Sequence, residues 1–208
     1  AEFTSSASLG TENIVIGGAL QVSGGVFSIN YGSSASGHNI NVQIGGNLAI
    51  SGGNTFLTRN AGIGTIAVGG TMSISTGMLT IKSSTGVVQM IVSGQYNQSG
   101  GTIYMHGNSA QVSSDKITLS IQGNFTQSSG MLSFDDNSDN SNATHELLIY
   151  GAAYTLSGTA QITHSGTGTS QSFGLIRFLR NGTTTYTRTS GHQLQQVKQD
   201  VEANNILV

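Results

Sequence analysis

The stretch GGNLAISGG at residues 45–53 decides the fold. Its apolar side chains Leu48 and Ile50 are separated by the small Ala49, and a glycine pair stands on each side. Taken alone, the stretch is compatible with a phosphate-binding loop, a linker or one copy of a repeat. No GxGxxG element leads here from a strand into a helix, as a nucleotide-binding motif requires. Further copies along the chain favour the repeat.

The pattern apolar-x-apolar-x-Gly-x-apolar occurs six times, with gaps of 28, 24, 24, 29 and 28 residues between its glycines. These glycines are Gly18, Gly46, Gly70, Gly94, Gly123 and Gly151. A seventh unit begins near Phe173 and contains Gly182.

Apolar side chains form columns at fixed distances from these glycines. Four residues before them come Ile14, Val42, Ile66, Met90, Leu119 and Leu147. Two residues before come Ile16, Ile44, Val68, Val92, Ile121 and Ile149. Two residues after come Leu20, Leu48, Met72, Tyr96, Phe125 and Ala153. Eleven residues after come Ile29, Leu57, Ile81, Met105, Phe134 and Ile162. The columns alternate with polar residues, and this period of two is typical of half-buried strands.

A unit of 24 to 29 residues with two or three short strands cannot bury its apolar face alone. Stacking successive units about 4.8 Å apart does bury it. The sequence therefore predicts an all-β fold, a parallel, right-handed β-helix (β-solenoid) of about 6–7 coils. We expect a tail or cap at residues 1–12, six coils at 13–172, and a seventh coil at 173–208 that continues in a longer native chain. Residues 194–201 also have spacings that suit a short helix. The SGG triplets, such as Ser51-Gly52-Gly53, are predicted to be tight corners.

The composition narrows the possible functions. The chain has 208 residues, thirty of them glycine, with no cysteine, and 8% of its residues are charged. In globular domains about a quarter of the residues are usually charged. Without cysteine there can be no disulfide, thiolate zinc site or cysteine nucleophile. The net charge of −2 gives no reason to expect nucleic acid as a partner. No apolar run is long enough to insert into a membrane.

An acidic segment, DDNSDNSNATHE at residues 135–146, resembles a calcium-binding loop in its ligand spacing. Oxygen-bearing side chains occupy positions 1, 3, 5, 7 and 12, and these are Asp135, Asn137, Asp139, Ser141 and Glu146. Such spacing supplies the several oxygen ligands that Ca²⁺ requires. Asn140 stands where that loop has glycine, and Glu146 begins a predicted strand instead of a helix. The alternative is a solvated polar excursion. Calcium is the only cofactor that the sequence suggests.

A second set of candidates comes from the column twelve residues after the repeat glycines. It contains Asn30, Thr58, Lys82, His106, Asp135 and Thr163. Lys82, His106 and Asp135 are therefore expected on successive coils, facing outward along one edge. Some β-helix polysaccharide lyases and glycosidases build their sites from such neighbours. Only one carboxylate joins this row, so a surface row without catalysis is the favoured interpretation, and no catalytic residue is assigned.

The column three residues after the glycines faces outward and contains Gln21, Ala49, Ser73, Asn97 and Thr126. Flat Thr-rich arrays on β-solenoids bind ice, but this row is mixed in size and shape. Gln98 and Gln127 replace apolar residues in the neighbouring column, and we expect them to form a stacked amide pair at a corner.

The units GGNLAISGG, VGGTMSISTG, VSGQYNQSGGTI and IQGNFTQSSGML resemble repeats of very large secreted surface proteins of gliding and biofilm-forming bacteria. Such proteins are often exported by the type IX system. More loosely, the units are similar to β-helical passenger domains of adhesins. The resemblance covers about residues 13–172. It implies an extended extracellular stalk or adhesive rod, and it carries over no catalytic residue.

Two classes of function remain. The first is a non-enzymatic structural or adhesive module whose partners are cell-surface or extracellular-matrix components, glycans among them, with end-to-end contacts to further repeats. The second is a β-helix that binds or cleaves a polysaccharide, and ice binding is a third, weaker alternative.

Overall fold

The computed structural model describes residues 2–3, 10–29, 39–59, 62–107, 115–135, 145–164, 174–189, 193–195, 197–201 and 205–207. Its strands form two parallel sheets. The eight-stranded sheet contains β2 (Thr11–Ile16), β4 (Asn39–Ile44), β6 (Gly62–Val68), β8 (Gly86–Val92), β10 (Lys116–Ile121), β12 (Glu146–Ile149), β15 (Gly174–Phe178) and β18 (Val197–Val201).

The eleven-stranded sheet contains the other strands. They are β1 (Glu2–Phe3), β3 (Leu20–Ile29), β5 (Leu48–Thr58), β7 (Met72–Lys82), β9 (Tyr96–His106), β11 (Phe125–Ser133), β13 (Ala153–Leu156), β14 (Gln161–Thr163), β16 (Gly182–Arg188), β17 (Gln193–Gln195) and β19 (Asn205–Leu207).

The chain alternates between the two sheets, and each strand pairs with its equivalent about one repeat later. The prediction of an all-β parallel solenoid is confirmed. The coil count is slightly lower than predicted, because about five turns are regular. In these turns the second strand is uninterrupted, from β3 to β11. In the sixth turn that strand is divided into β13 and β14. Residues 193–195 and 197–201 are strands, so the helical alternative there is wrong.

The register reproduces most of the predicted columns. Ile14, Val42, Ile66, Met90, Leu119 and Leu147 pair one after another through the eight-stranded sheet. The column two residues before the glycines does the same. From Val42 and Ile44 onward these side chains are 2% exposed or less. Their burial forms one continuous apolar core along the stack, the main stabilising contribution that such a repeat can make.

Two column assignments in the sixth unit are wrong. Phe125 pairs with Tyr154, not with the predicted Ala153. Ile162 pairs with Leu132, not with Phe134. Between its glycine and the residue that pairs with Phe125, the sixth unit has one more residue than the fifth, and before the residue that pairs with Leu132 it has two more. Since side chains alternate with a period of two, a slip of one residue exchanges inward and outward positions.

The sequence predicted that the SGG triplets are tight corners at which a strand ends. In the structure they are instead bulges inside long strands. The register between β5 and β7 shifts between Ile50 and Asn54. Gly53 has a φ of 71°, and Gly77 lies next to it with a φ of 79°. Glycine adopts this left-handed conformation without the penalty that a Cβ would bring. The bulge bends the strand while the ladder continues on both sides of it.

The repeat glycines between the two strands of each coil, paired with a second glycine in the first three coils, make a second kind of bend, which we call the glycine corner. The amide of Gly46 donates to the carbonyl of Gly18, and that of Gly70 donates to Gly46. A Cβ on Gly123 would lie 2.6 Å from the carbonyl oxygen of Gly94. The coils approach each other so closely here that only hydrogen fits.

An aromatic stack continues the core through the later coils. The rings of Tyr96 and Phe125 are 4.3 Å apart and nearly parallel, and Tyr154 lies 5.0 Å beyond Phe125. Burial raises the pKa of Tyr96 and Tyr154 well above 10.0. Gln98 and Gln127 are neighbours in register, as predicted for the amide pair. Each amide nitrogen donates to backbone carbonyls at the bulge, such as Gly101 and Gly130.

Candidate functional site

The third bend of each coil carries the side chains with acid–base chemistry. We call it the polar corner: it is where the second strand of one coil ends and the first strand of the next begins. Lys82 and His106 are direct neighbours across β7 and β9, as predicted. The amide of His106 donates to the carbonyl of Phe134, which places Asp135 beside the row.

The predicted exposure of this row is wrong. Lys82 is 1% exposed, and His106 and Asp135 are fully buried. The sequence neighbours Ile81 and Met105 are buried too, so the strand alternation ends where the chain turns toward the next coil. The three residues do not form an outward-facing catalytic row in this structure.

Lys82 lies near a backbone carbonyl and a carboxylate. Its Nζ donates to the carbonyl of Gly62 at 3.5 Å. Burial lowers the pKa of Lys82 from 10.5 to about 8, and the nearby Asp115 carboxylate offsets part of that effect. Desolvation disfavours the charged ammonium, so it dominates the electrostatics of this position.

Asp115 connects the lysine to the next coil. Its Oδ1 accepts a hydrogen bond from the amide of Gly86. Its Oδ2 lies 3.9 Å from Nε2 of His106, and that nitrogen is 3.1 Å from the carbonyl oxygen of Ser84. A carbonyl can only accept, so Nε2 of His106 is the protonated nitrogen. Asp115 is thus buried and lies near both Lys82 and His106.

His145 continues the cluster above His106. The two rings are 5.7 Å apart and 7° from parallel. The amide of Ile117 donates to Nδ1 of His145 at 3.1 Å. A nitrogen that accepts carries no proton, so His145 is neutral in this arrangement. Protonation would remove that acceptor.

Asp135 is paired with a histidine that the column analysis missed. Nε2 of His164 lies 3.0 Å from Oδ2 of Asp135, and both side chains are buried. Thr163, the residue predicted to continue the row, pairs with Ser133 instead. By this point the sixth unit is displaced by two residues relative to the fifth, which explains why His164 was not recognised.

Asp115 and His145 were missed for another reason. Each follows a long excursion and directly precedes a first strand. Excursions of different lengths remove any fixed distance from the repeat glycine. The sequence feature that could have identified them is their position immediately before the alternating apolar residues of β10 and β12.

The calcium candidates are only partly covered by the described residues. Asn137, Asp139 and Ser141 lie outside them. Asp135 faces His164, and Glu146 forms an ion pair of 2.8 Å with Lys116. Among the described residues, no group of three or more His, Asp or Glu side chains is arranged to hold a metal ion. The calcium site stays a prediction.

The outer face has a shallow depression that spans the first four coils. Gln21, Ala49, Ser73 and Asn97 form one row in register, as predicted. Ala49 and Ser73 are shorter than the residues at either end of that row, and serines at the start of the bulge form the rim. The lining is Gln21, Ala49, Ile50, Ser51, Ser73, Ile74, Ser75, Asn97 and Ser99.

The chemistry of the depression is neutral, because its lining contains no charged side chain. Serine hydroxyls and the amides of Gln21 and Asn97 can donate and accept hydrogen bonds. The concave shape also differs from the flat array of an ice-binding face. Beyond the depression the row continues through Thr126, Thr155 and Thr187.

The described residues contain no helix that could span a lipid bilayer. Comparison with protein families, curated proteins and solved structures found no match to this chain.

Proposed function

We propose that this chain is an extracellular structural and adhesive module, a rigid rod in a bacterial surface or secreted protein that presents loops and neighbouring domains. The observation that carries the proposal is the unbroken register of the stack. Equivalent residues pair from β2 to β18 in one sheet, above a single apolar core. Each added coil lengthens such a stack and needs contact only with its neighbours, which suits a spacer.

The surface supports an adhesive role. The outward row from Gln21 to Thr187 is mostly Ser, Thr, Asn and Gln, and charges are few, whereas the eight-stranded sheet also exposes Val15 and Ile63. Such a surface offers many neutral hydrogen-bonding groups to cell-surface or matrix components. The resemblance to type IX-exported surface repeats agrees with this role, and export by that route is part of the proposal.

The test is where the native protein resides and how often its gene encodes the repeat. An antibody against this chain, applied to intact cells of the source organism, should label the surface or detect protein in the medium. Many further copies of the repeat in the native gene favour the rod. Labelling confined to lysed cells would contradict the proposal.

The depression on the outer face favours a second candidate function, the binding of a neutral glycan. A chain of sugar hydroxyls could lie across Ala49 and Ser73 and bond to the flanking serines and amides. The absence of charge from the lining argues against acidic polysaccharides as ligands.

A glycan array separates neutral from uronate polysaccharides. Ser73→Tyr would fill the depression and should abolish binding, whereas Thr126→Tyr, in the same row but outside the depression, should retain it. Equal binding by both variants would mean that the glycan binds outside the depression. Release of unsaturated products from uronate polymers would support the lyase alternative.

A further inference from the structure

The core of the later coils buries an acceptor and a donor that remain unpaired. Among the described residues, nothing donates to Oε1 of Gln127, and the Tyr154 hydroxyl has no hydrogen-bond partner. Both side chains are fully buried. Burying such a group without a hydrogen bond is costly, so two of them in one core require an explanation.

In the preceding coil the equivalent atoms satisfy each other. Gln98 is the register neighbour of Gln127, and its Oε1 accepts a hydrogen bond of 2.6 Å from the Tyr96 hydroxyl. In the coil of Gln127, Phe125 takes the place of Tyr96 and has no hydroxyl to donate. Gln127 therefore occupies the same core position without the donor that Gln98 has.

Turning the Gln127 amide over would not supply a partner. Its Nε2 donates to the carbonyl oxygens of Gly130 and Gln161, each at 3.0 Å. Exchanging the amide oxygen and nitrogen would break both bonds and set the oxygen against two acceptors. Oε1 is therefore fixed as the unpaired acceptor.

The next hydroxyl of the stack belongs to the following coil. Tyr154 pairs with Phe125, so the register sets its hydroxyl about 4.8 Å, one coil spacing, from where a hydroxyl on Phe125 would reach Gln127. A direct hydrogen bond between two oxygens spans about 2.8 Å, whereas two such bonds that meet at one water oxygen span about 4.5 Å. The spacing therefore suits one bridging water and not a direct bond.

The aromatic stack also opens at this level. The rings of Tyr96 and Phe125 are 6° from parallel with centroids 4.3 Å apart, whereas Tyr154 is tilted by 33° from Phe125 at 5.0 Å. The tilt separates the second pair of rings more widely along one edge. Leu156, which pairs with Gln127, offers no acceptor to the tyrosine of its own coil.

We propose that a single water molecule binds inside the solenoid between Gln127 and Tyr154. The Tyr154 hydroxyl donates to the water, and the water donates one hydrogen to Oε1 of Gln127. The hydroxyl oxygen of Tyr186 can accept the second hydrogen, because Tyr186 pairs with Tyr154 and its hydroxyl is also buried without a partner among the described residues. Three bonds are usual for a buried water. This inference depends on the core alone and not on the adhesive function.

A crystal structure at a resolution that shows ordered water tests the site directly. One water should lie within hydrogen-bond distance of both Oε1 of Gln127 and the Tyr154 hydroxyl. In Phe125→Tyr the new hydroxyl should donate to Gln127, as Tyr96 donates to Gln98, and the water should be lost. A native core with no water between the two atoms would overturn the proposal.

Thermal unfolding gives an independent result that depends on its sign. Tyr154→Phe removes a hydroxyl that is bonded through the water, so its melting temperature should fall by about 2–4 °C. Tyr96→Phe, which breaks the direct bond to Gln98, is the control and should show at least the same decrease. Without the water, Tyr154→Phe would remove an unsatisfied buried hydroxyl. An unchanged or higher melting temperature of Tyr154→Phe would therefore contradict the bound water.

Discussion

The glycine corner and the polar corner close the same coils by different forces. At the glycine corner, backbones of successive coils touch, and amides such as that of Gly70 donate to the carbonyl of the preceding glycine. At the polar corner, backbone hydrogen bonds such as that from the Gly107 amide to the Lys82 carbonyl are joined by the buried side chains of Lys82, Asp115 and His106. The first corner tolerates no side chain, and the second depends on several. Substitutions should therefore fail at the two corners for different reasons.

The largest expected effect is at the Asp135–His164 pair of the polar corner. Removing one member of a buried pair leaves the other charge or dipole without its partner, a loss of about 3–5 kcal/mol. Asp135→Ala should lose that much free energy of unfolding in urea. In a double-mutant cycle with His164→Ala, the second substitution should cost much less than the first. Additive losses would show that the two side chains are not coupled.

Replacing Lys82 should have the opposite effect on the free energy of unfolding at neutral pH. Its pKa is about 8 in the folded chain and 10.5 as the ordinary value. Between these values the unfolded chain binds a proton that the folded chain does not, so this residue makes stability rise with pH. Lys82→Met should be the more stable protein at neutral pH. Its advantage should shrink by on the order of 3 kcal/mol as the pH rises through this window.

Urea unfolding at several pH values measures this difference. Ile81→Met is the control, since it changes the neighbouring residue without removing a titrating group, and its difference from the native chain should not vary in the same window. A Lys82→Met difference that is constant with pH would mean that the ammonium is not desolvated.

The glycine corner should lose stability through overpacking. Gly123→Ala would place its methyl 2.6 Å from the carbonyl oxygen of Gly94. Coils must separate to admit it, at a cost of about 1–3 kcal/mol. Gly18→Ala is the matched control, because among the described residues its methyl would meet nothing within 4 Å. Both are compared by urea unfolding, and similar losses would refute steric contact as the reason for glycine.

These corners also explain what the sequence could predict. The columns through Ile14 and Ile16 were correct, and the column through Leu20 was correct as far as Phe125, because each coil repeats the same glycine at nearly constant distance. Close backbone contact between coils requires glycine at these positions, so the glycines reveal the repeat in the sequence. The predicted row Lys82, His106 and Asp135 was likewise correct in its adjacency.

Burial of that row could not be predicted from the same pattern. Alternation assigns sides only while a strand continues, and β7 and β9 end at Lys82 and His106. The partners Asp115 and His145 arrive from excursions whose lengths differ between coils. His164 was recognised only from the strand pairing, which shows that the sixth unit is displaced by two residues at Thr163. Side chains that loops bring together do not recur at a fixed spacing in the sequence, so periodicity does not predict their contacts.

The smallest expected effect concerns Glu146, where the polar corner meets the surface. The Lys116 side chain that pairs with it is 47% exposed, so Lys116→Ala should cost less than about 1 kcal/mol. The calcium hypothesis requires that Glu146 turn from Lys116 to the ion. Calcium should then raise the melting temperature above its value in EGTA, and by more in Lys116→Ala, because the competing cation is gone. Glu146→Gln should lose the calcium effect. Equal melting temperatures with calcium and with EGTA, in both the native chain and Lys116→Ala, would remove the loop from consideration and leave the polar corner as a purely structural cluster.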